Sequence, residues 1–383
     1  MTTTDPTVPM GDGTRLVHAG DEPVVPGTPL RPSPVFAAPY HLGDQPPGEF
    51  GYARPDNPTL RVLERAIGEL DGGDCLTFAT GMAAISSAVL AVAGPGDRVV
   101  LPSDGYYTTR VLARDELERL GLRVELVPTL GIEAVAARGD LDGARLVMLE
   151  TPSNPQLDVC DIAAVARATQ AAGAVLAVDN TTATPIGQRP LELGADLVVA
   201  ADTKALTGHS DVLLGHVSTA RTERGRELAA RLAAWRKTTG NPPGPFEAWL
   251  AHRSMGTLDL RLARQAANAA AVAEVLAGSP AVRGVRWPGR PEDPSYALAQ
   301  RQMLRQNGVV SAELADSDAV ARLVRASRLL VAATSFGGIH TTVDRRAQWG
   351  GDAVPAGFVR FSCGIEDTAD LVADLERALA ALG

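Results

Sequence analysis

Residues 174–204 read AVLAVDNTTATPIGQRPLELGADLVVAADTK. It holds two short apolar runs, AVLAVD (174–179) and DLVVAAD (196–202), each ending in an acid. Near-continuous apolar runs of this length predict strands covered on both faces, as in a mostly parallel sheet. The same rhythm extends outward on the N-terminal side. RLVMLE (145–150) precedes the helical DIAAVARATQAAG (161–173), VELVP (124–128) precedes GIEAVAARGD (131–140), and RVVLP (98–102) precedes YTTRVLARDELERLG (107–121). CLTF (75–78) runs into the helical GMAAISSAVLAVAG, and before it Leu60, Leu63, Ile67 and Leu70 share one face of TLRVLERAIGELD. Strand–helix alternation predicts an α/β class fold whose ligands gather at the carboxyl ends of the strands. The residues after VLAVD and DLVVAAD are therefore where chemistry is expected.

Beyond Arg221 the pattern changes to long Ala/Arg/Leu-rich helices, ERGRELAARLAAWRK and LDLRLARQAANAAAVAEVLAG. Strands VVSAEL and FVRFSC with a helix at DSDAVARLVRAS predict a smaller α+β domain. Residues 1–57, rich in Pro and Gly and without periodicity, predict an extended arm ordered only by docking. The expected divisions are 1–57 as arm, 58–240 as large α/β domain and 241–383 as C-terminal α+β domain.

The 383 residues carry 36 Lys+Arg against 45 Asp+Glu, a net charge of −9, which argues against nucleic-acid binding through phosphates. No apolar run is long enough to span a membrane, and MTTTDPTVPMGDG has neither the basic start nor the apolar core of a signal peptide, so a cytoplasmic protein is expected. Cys75, Cys160 and Cys363 lie far apart and the six histidines are scattered, so no metal site is expected. The sharpest compositional fact is that only two lysines exist, Lys204 and Lys237. Arginine stays protonated and cannot act as an amine nucleophile, so any Schiff-base chemistry must use one of the two.

Asp179 ends one strand, and Lys204 lies just past the next, in ADTKALTGHSD. A carboxylate and a lysine at successive strand ends are what pyridoxal 5'-phosphate requires: an amine for its aldehyde and an acid for its pyridinium nitrogen. Thr80-Gly81-Met82, at the junction of CLTFA and a helix, offers backbone N–H groups and a helix dipole to a phosphate. Thr203 adds a hydroxyl beside Lys204.

Several stretches together resemble one family. They are Tyr52-Ala53-Arg54 with Asn57-Pro58-Thr59, Ala79 to Ala84 (ATGMAA), Glu150 to Pro155 (ETPSNP), Val178 to Thr181 (VDNT), and Arg189 to Asp196 (RPLELGAD). Thr203-Lys204 with Thr207 to Asp211 (TGHSD), Pro245 to Leu250 (PFEAWL), Trp287-Pro288-Gly289, Asn307 to Ser311 (NGVVS), Ser335 to Gly338 (SFGG), Val359 to Ser362 (VRFS) and Gly364 to Asp367 (GIED) continue it. Nearly the whole chain, in order, resembles the pyridoxal-phosphate Cys/Met metabolism family of cystathionine γ-lyase, cystathionine γ-synthase and methionine γ-lyase. The resemblance implies the aspartate-aminotransferase-like type I fold, with a seven-stranded-type sheet. It implies that Lys204 holds the cofactor and moves protons, Asp179 keeps its nitrogen protonated, and Tyr106 stacks on its ring. Gly81, Met82 and Thr203 would hold the phosphate, joined by Tyr52 and Arg54 from a neighbouring subunit, so a homo-oligomer is expected, built as a tetramer of two active dimers. Asn154, Ser335 and Arg360 would bind an amino-acid substrate's carboxylate.

Three positions depart from the family pattern. Ala201 stands where a phosphate-binding Ser is common, Tyr107 and Thr108 follow the stacking tyrosine in place of Gly, and His340 replaces a Glu near the substrate's distal end. Tyr107 and Thr108 count against methionine γ-lyase. The expected activity is γ-elimination on cystathionine, giving cysteine, 2-oxobutanoate and ammonia, within transsulfuration and methionine metabolism. γ-Replacement on an O-acylhomoserine uses the same residues and stays open. A NAD-binding oxidoreductase is disfavoured because no strand runs into GxGxxG with an acid ~20 residues on. A non-catalytic binding module is disfavoured by the presence of Lys204, Asp179, Tyr106 and Arg360.

Overall fold

A computed structural model describes residues 10–21, 25–43 and 48–382. Twelve strands are named in chain order: β1 Gly73–Phe78, β2 Arg98–Pro102, β3 Arg123–Val127, β4 Ala144–Glu150, β5 Val175–Asp179, β6 Leu197–Ala200, β7 Gly215–Ala220, β8 Val282–Arg286, β9 Val309–Leu314, β10 Val331–Ala332, β11 Thr342–Arg345 and β12 Phe358–Ser362. The first seven form one sheet in the order β1-β7-β6-β5-β4-β2-β3. Its ladders are parallel except those of β7, which runs antiparallel to both β1 and β6. The continuous apolar runs predicted this burial: all five residues of β5 and all four of β6 are buried. Burying Val175, Leu176 and Val178 contributes at most roughly 1.5–3 kcal/mol each.

Helices cover both faces. Gly81–Leu90 and Glu223–Thr239 pack one core with Phe78, Val99, Leu101, Leu146 and Val217. Thr129–Ala137 and Ile162–Ala171 pack the other with Val100, Val147, Leu149, Leu176 and Val178. The chain leaves β2 for the edge strand β3 and returns to β4 on the other side of β2, so the sheet order reverses there. Such a switch point opens a crevice at the strand carboxyl ends.

The second sheet, β10-β11-β12-β9-β8, is antiparallel apart from its short β10–β11 edge. The helices Leu258–Gly278, Ser317–Ala326 and Thr368–Ala380 supply its core with Ala269, Val272, Leu276, Leu323, Leu371 and Leu375. Leu258–Gly278 serves both cores, because Leu258 and Leu262 pack with the Pro58–Asp71 helix while Ala269 and Val272 join the smaller sheet. The arm differs from the extended expectation at one place. Asp12–His18 is a short helix with acidic Asp12 in its first turn and Arg15 and His18 in its last, anchored by fully buried Leu16. No helix among the described residues is long and apolar enough to cross a membrane.

Candidate active site

A cavity of about 360 Å³ opens where the β2, β4, β5 and β6 carboxyl ends meet the smaller domain. That volume is in the range of small-molecule sites. Each strand end delivers residues to it: Tyr106 and Tyr107 after β2, Glu150 and Asn154 at and after β4, Asp179 and Thr181 at and after β5, Thr203 and Lys204 after β6. The region of the second sheet closes it with Ser335, Phe336, Arg346, Trp349 and Arg360.

The Lys204 ammonium Nζ donates to the Ser335 hydroxyl at 2.8 Å and stands 5.3 Å from the centroid of the Phe336 ring. Burial lowers its pKa to about 8, helped by the positive charges of Arg360 and Arg346 and opposed by Asp179. About a tenth is thus the free amine at pH 7, and about half at pH 8, the form that adds to a carbonyl. Ser335 is held at φ +74°, unusual for a residue with a side chain, and Gly337 follows at φ +81°. A Cβ on Gly337 would lie 2.5 Å from the Ala205 nitrogen, so this loop closes directly onto the lysine turn.

Asp179 is buried, and its carboxylate accepts the Thr181 backbone N–H at 3.0 Å. Burial raises its pKa, while Thr181's hydroxyl and N–H and the charges of His216 and Lys204 pull the other way. The Thr181 hydroxyl also accepts the Ala201 N–H at 2.8 Å, tying the end of β5 to the lysine turn. At the far end, Thr80 caps the Gly81–Leu90 helix, its hydroxyl accepting the Ala83 N–H at 3.0 Å. The first N–H groups of such a helix have no intrahelical partner and favour an anion. Glycine is required at 81, since a Cβ there would lie 2.4 Å from the Ala201 Cβ. Thr203's hydroxyl accepts the Leu214 N–H at 3.0 Å beside this end.

The opposite wall is cationic. Arg360 is buried, donates to Asn154 Oδ1 at 2.5 Å and the Ser335 carbonyl at 2.7 Å, and pairs with Asp344 at 3.2 Å. Burial and neighbouring Arg346 lower its pKa to about 10, so it remains a cation at neutral pH. Its Nε is buried with no hydrogen-bond partner among the described residues. A small carboxylate would satisfy a guanidinium held this way. Asp344 also accepts Arg346 Nη1 at 2.7 Å and the Trp349 indole N–H at 2.9 Å, and Arg346 bonds Asp352.

Two functional placements escaped the sequence. Glu150 accepts the Tyr106 N–H at 2.6 Å and the Asn154 N–H at 2.8 Å, locking the loops after β2 and β4 together. Burial and then Asp179's charge push its pKa well up, against the pull of those two N–H groups. Thr181 is the second. Both act on backbone N–H groups, which leave no residue pattern to read. Three expected residues lie elsewhere in the single chain. His340 is exposed and does not line this chain's own cavity; its backbone lies against Gly364. Exposed Tyr107, Trp349 and Leu213 also line the cavity. Tyr52 is exposed, its backbone bridging to Pro39, and Arg54 donates to the Lys237 carbonyl at 2.6 Å, both outside this chain's own cavity.

The residues fit pyridoxal phosphate: a depressed-pKa amine, a buried carboxylate facing the cavity, and a helix N-terminus whose glycine lies against the lysine turn. Comparison with known proteins agrees. Residues 14–380 match the model of the Cys/Met metabolism PLP-dependent enzyme family. A Streptomyces coelicolor protein provisionally named cystathionine gamma-lyase is 52% identical over 96% of this chain and 93% of its own. A Mycobacterium tuberculosis cystathionine gamma-synthase is 38% identical over 96% and 97%. A crystal structure of cystathionine gamma synthase from Xanthomonas oryzae pv. oryzae in complex with cystathionine superposes with TM-score 0.91 at 33% identity, covering 98% of this chain and 99% of that one. The chain, with its type I fold and its amine–carboxylate pair, belongs to the Cys/Met metabolism family of pyridoxal-phosphate-dependent enzymes.

Proposed function

We propose that this enzyme cleaves the Cγ–S bond of cystathionine, consuming water and releasing cysteine, 2-oxobutanoate and ammonia. The observation that carries this reading is the Lys204 amine, 2.8 Å from Ser335 and lowered to about pKa 8, in a cavity walled by Asp179 and Arg360. The similarity to the Streptomyces coelicolor protein supports the substrate. When bound, pyridoxal phosphate supplies an electron sink for charge developed at the substrate's α and β carbons. Asp179 would pair with its ring nitrogen, Gly81, Met82 and Thr203 would hold its phosphate, and Tyr106 would lie against its ring, all of them lining the same cavity. Arg360 and Asn154 take the substrate α-carboxylate, fixing the Cα–H bond toward Lys204. Lys204 would take the substrate's α proton and return it farther along the chain, with Ser335, 2.8 Å away, orienting its amine. Tyr52 and Arg54 reach the phosphate of a second copy. His340 has no part in this assignment.

Two measurements test it. Borohydride reduction followed by peptide mapping should place the cofactor on Lys204 and leave Lys237 free; label on Lys237 would overturn the site. Cystathionine alone should yield 2-oxobutanoate at least tenfold faster than O-acylhomoserine plus cysteine yields cystathionine. The reverse ratio would make the enzyme a γ-replacement catalyst.

A further inference from the structure

Behind Lys204 lies a buried ionic cluster that the chemistry above does not use. His216, on β7, has both ring nitrogens against carboxylates. Nδ1 is 2.8 and 2.9 Å from the two Asp202 oxygens, and Nε2 is 3.0 Å from Asp71 Oδ2. Ser218 donates to the same Asp71 oxygen at 2.5 Å. All four side chains are buried to 1% exposure or less. Burial pushes the Asp202 carboxyl up and lowers the imidazole, but the two acids hold the His216 pKa up at about 10. With both carboxylates ionised, each can only accept, so both ring nitrogens donate and the ring is a cation. Removing either acid would leave a buried charge short of a partner, a costly state.

The cluster joins three elements. Asp71 ends the Pro58–Asp71 helix that follows the arm, His216 faces Thr77 of β1 and Ala200 of β6 in register, and Asp202 sits in the lysine turn two residues before Lys204. The turn folds back on itself from Asp202, whose carbonyl accepts the Thr207 N–H at 3.0 Å, while Lys204 N–H bonds the Ala201 carbonyl at 3.1 Å. The other titratable groups that face the cluster among the described residues are Cys75, register partner of Ser218; Glu64, which is paired with Arg236; and Asp179, whose carboxylate feels the charge of His216.

We propose that His216 and Asp202 are positioning residues for Lys204: the buried imidazolium–carboxylate contact pins the 201–204 turn to the sheet and so holds the Lys204 amine desolvated against Ser335. The inference rests on Lys204 as the cofactor lysine, whichever sulfur amino acid is the substrate.

The two-lysine composition makes the test direct. Full-length protein freed of cofactor is pulse-labelled with acetic anhydride across pH 6–11, and the Lys204/Lys237 labelling ratio is read by peptide mass spectrometry. In Asp202→Asn, loss of a nearby negative charge acting alone would make the amine more acidic and raise the ratio at pH 8. A loosened turn acts oppositely, since the amine gains water and approaches ordinary lysine behaviour. We expect the ratio at pH 8 to fall about fivefold, as it does when an amine titrating near 8 moves up by about one unit. Ser218→Ala, which touches only the Asp71 side, should lower the melting temperature and leave the ratio unchanged. An unchanged or raised ratio in Asp202→Asn overturns the proposal, as does an equal fall in Ser218→Ala. If Asp202→Asn does not fold, His216→Gln is read in the same way against the same control. Borohydride mapping on the wild type separately checks the lysine assignment.

Discussion

Lys204 shows how far a single residue's chemistry is set by its surroundings. An ordinary lysine amine titrates near 10.4, and here burial among Arg360 and Arg346 brings it to about 8. Between those two values the unfolded chain binds a proton that the folded, cofactor-free chain does not, so this residue's contribution to stability rises with pH. A depression of this size corresponds to about 3 kcal/mol across the interval, an upper figure given partial solvent access. The stability difference between wild type and Lys204→Met, measured by urea unfolding without cofactor, should shift in favour of wild type from pH 8 to pH 10.5. His216, whose pKa the two acids raise to about 10, works in the opposite sense over an overlapping range. It is present in both proteins and drops out of that difference. A flat difference would mean that Lys204 titrates normally in the folded chain.

At the scale of elements, the site is made by close approach between the Gly81–Leu90 helix and the lysine turn. Gly81→Ala forces a Cβ to 2.4 Å from the Ala201 Cβ and 2.9 Å from its Cα, neither of which can rotate away. Overpacking of this kind costs typically about 1–3 kcal/mol and would move the helix N-terminus off the phosphate position proposed for it. Pyridoxal phosphate should bind at least tenfold more weakly, measured by equilibrium dialysis, and undiminished binding would show that the helix start does not hold the phosphate. The elements that carry this geometry were largely legible in the sequence. β2 and β5 announced themselves as unbroken apolar runs, and Asp179 and Lys204 stood out because they punctuate such runs. β7 was not legible, because Gly215, His216, Ser218 and Thr219 break the apolar pattern while being buried by long-range partners. The helix Asp12–His18 was hidden in the Pro/Gly-rich arm because one residue, Leu16, anchors it. Trp349 and Arg346 reach the cavity only through the packing of the second domain, and no local spacing encodes that.

For the whole molecule, the decisive question is whether two copies share a site. Tyr52 and Arg54 lie on an arm segment with little core of its own, and Leu30, Phe36 and Leu42 on the same arm are more than 60% exposed in the single chain. Apolar side chains left open along an arm favour burial against another copy. Arg54 offers a guanidinium fork suited to a phosphate dianion, yet it lies outside the cavity of its own chain. If it serves the partner's cofactor, Arg54→Ala and Lys204→Ala chains, each inactive alone, complement one another when mixed. In a mixed dimer, the site built on the Arg54→Ala chain has its own Lys204 and receives Arg54 from the Lys204→Ala partner; the other site lacks both. Random exchange makes about half of the dimers mixed, each with one intact site of two, so about a quarter of wild-type activity should return. Exchange is verified with differently tagged chains isolated by tandem affinity capture. An isolated mixed dimer with no activity would place Arg54 in its own subunit's chemistry or outside it altogether.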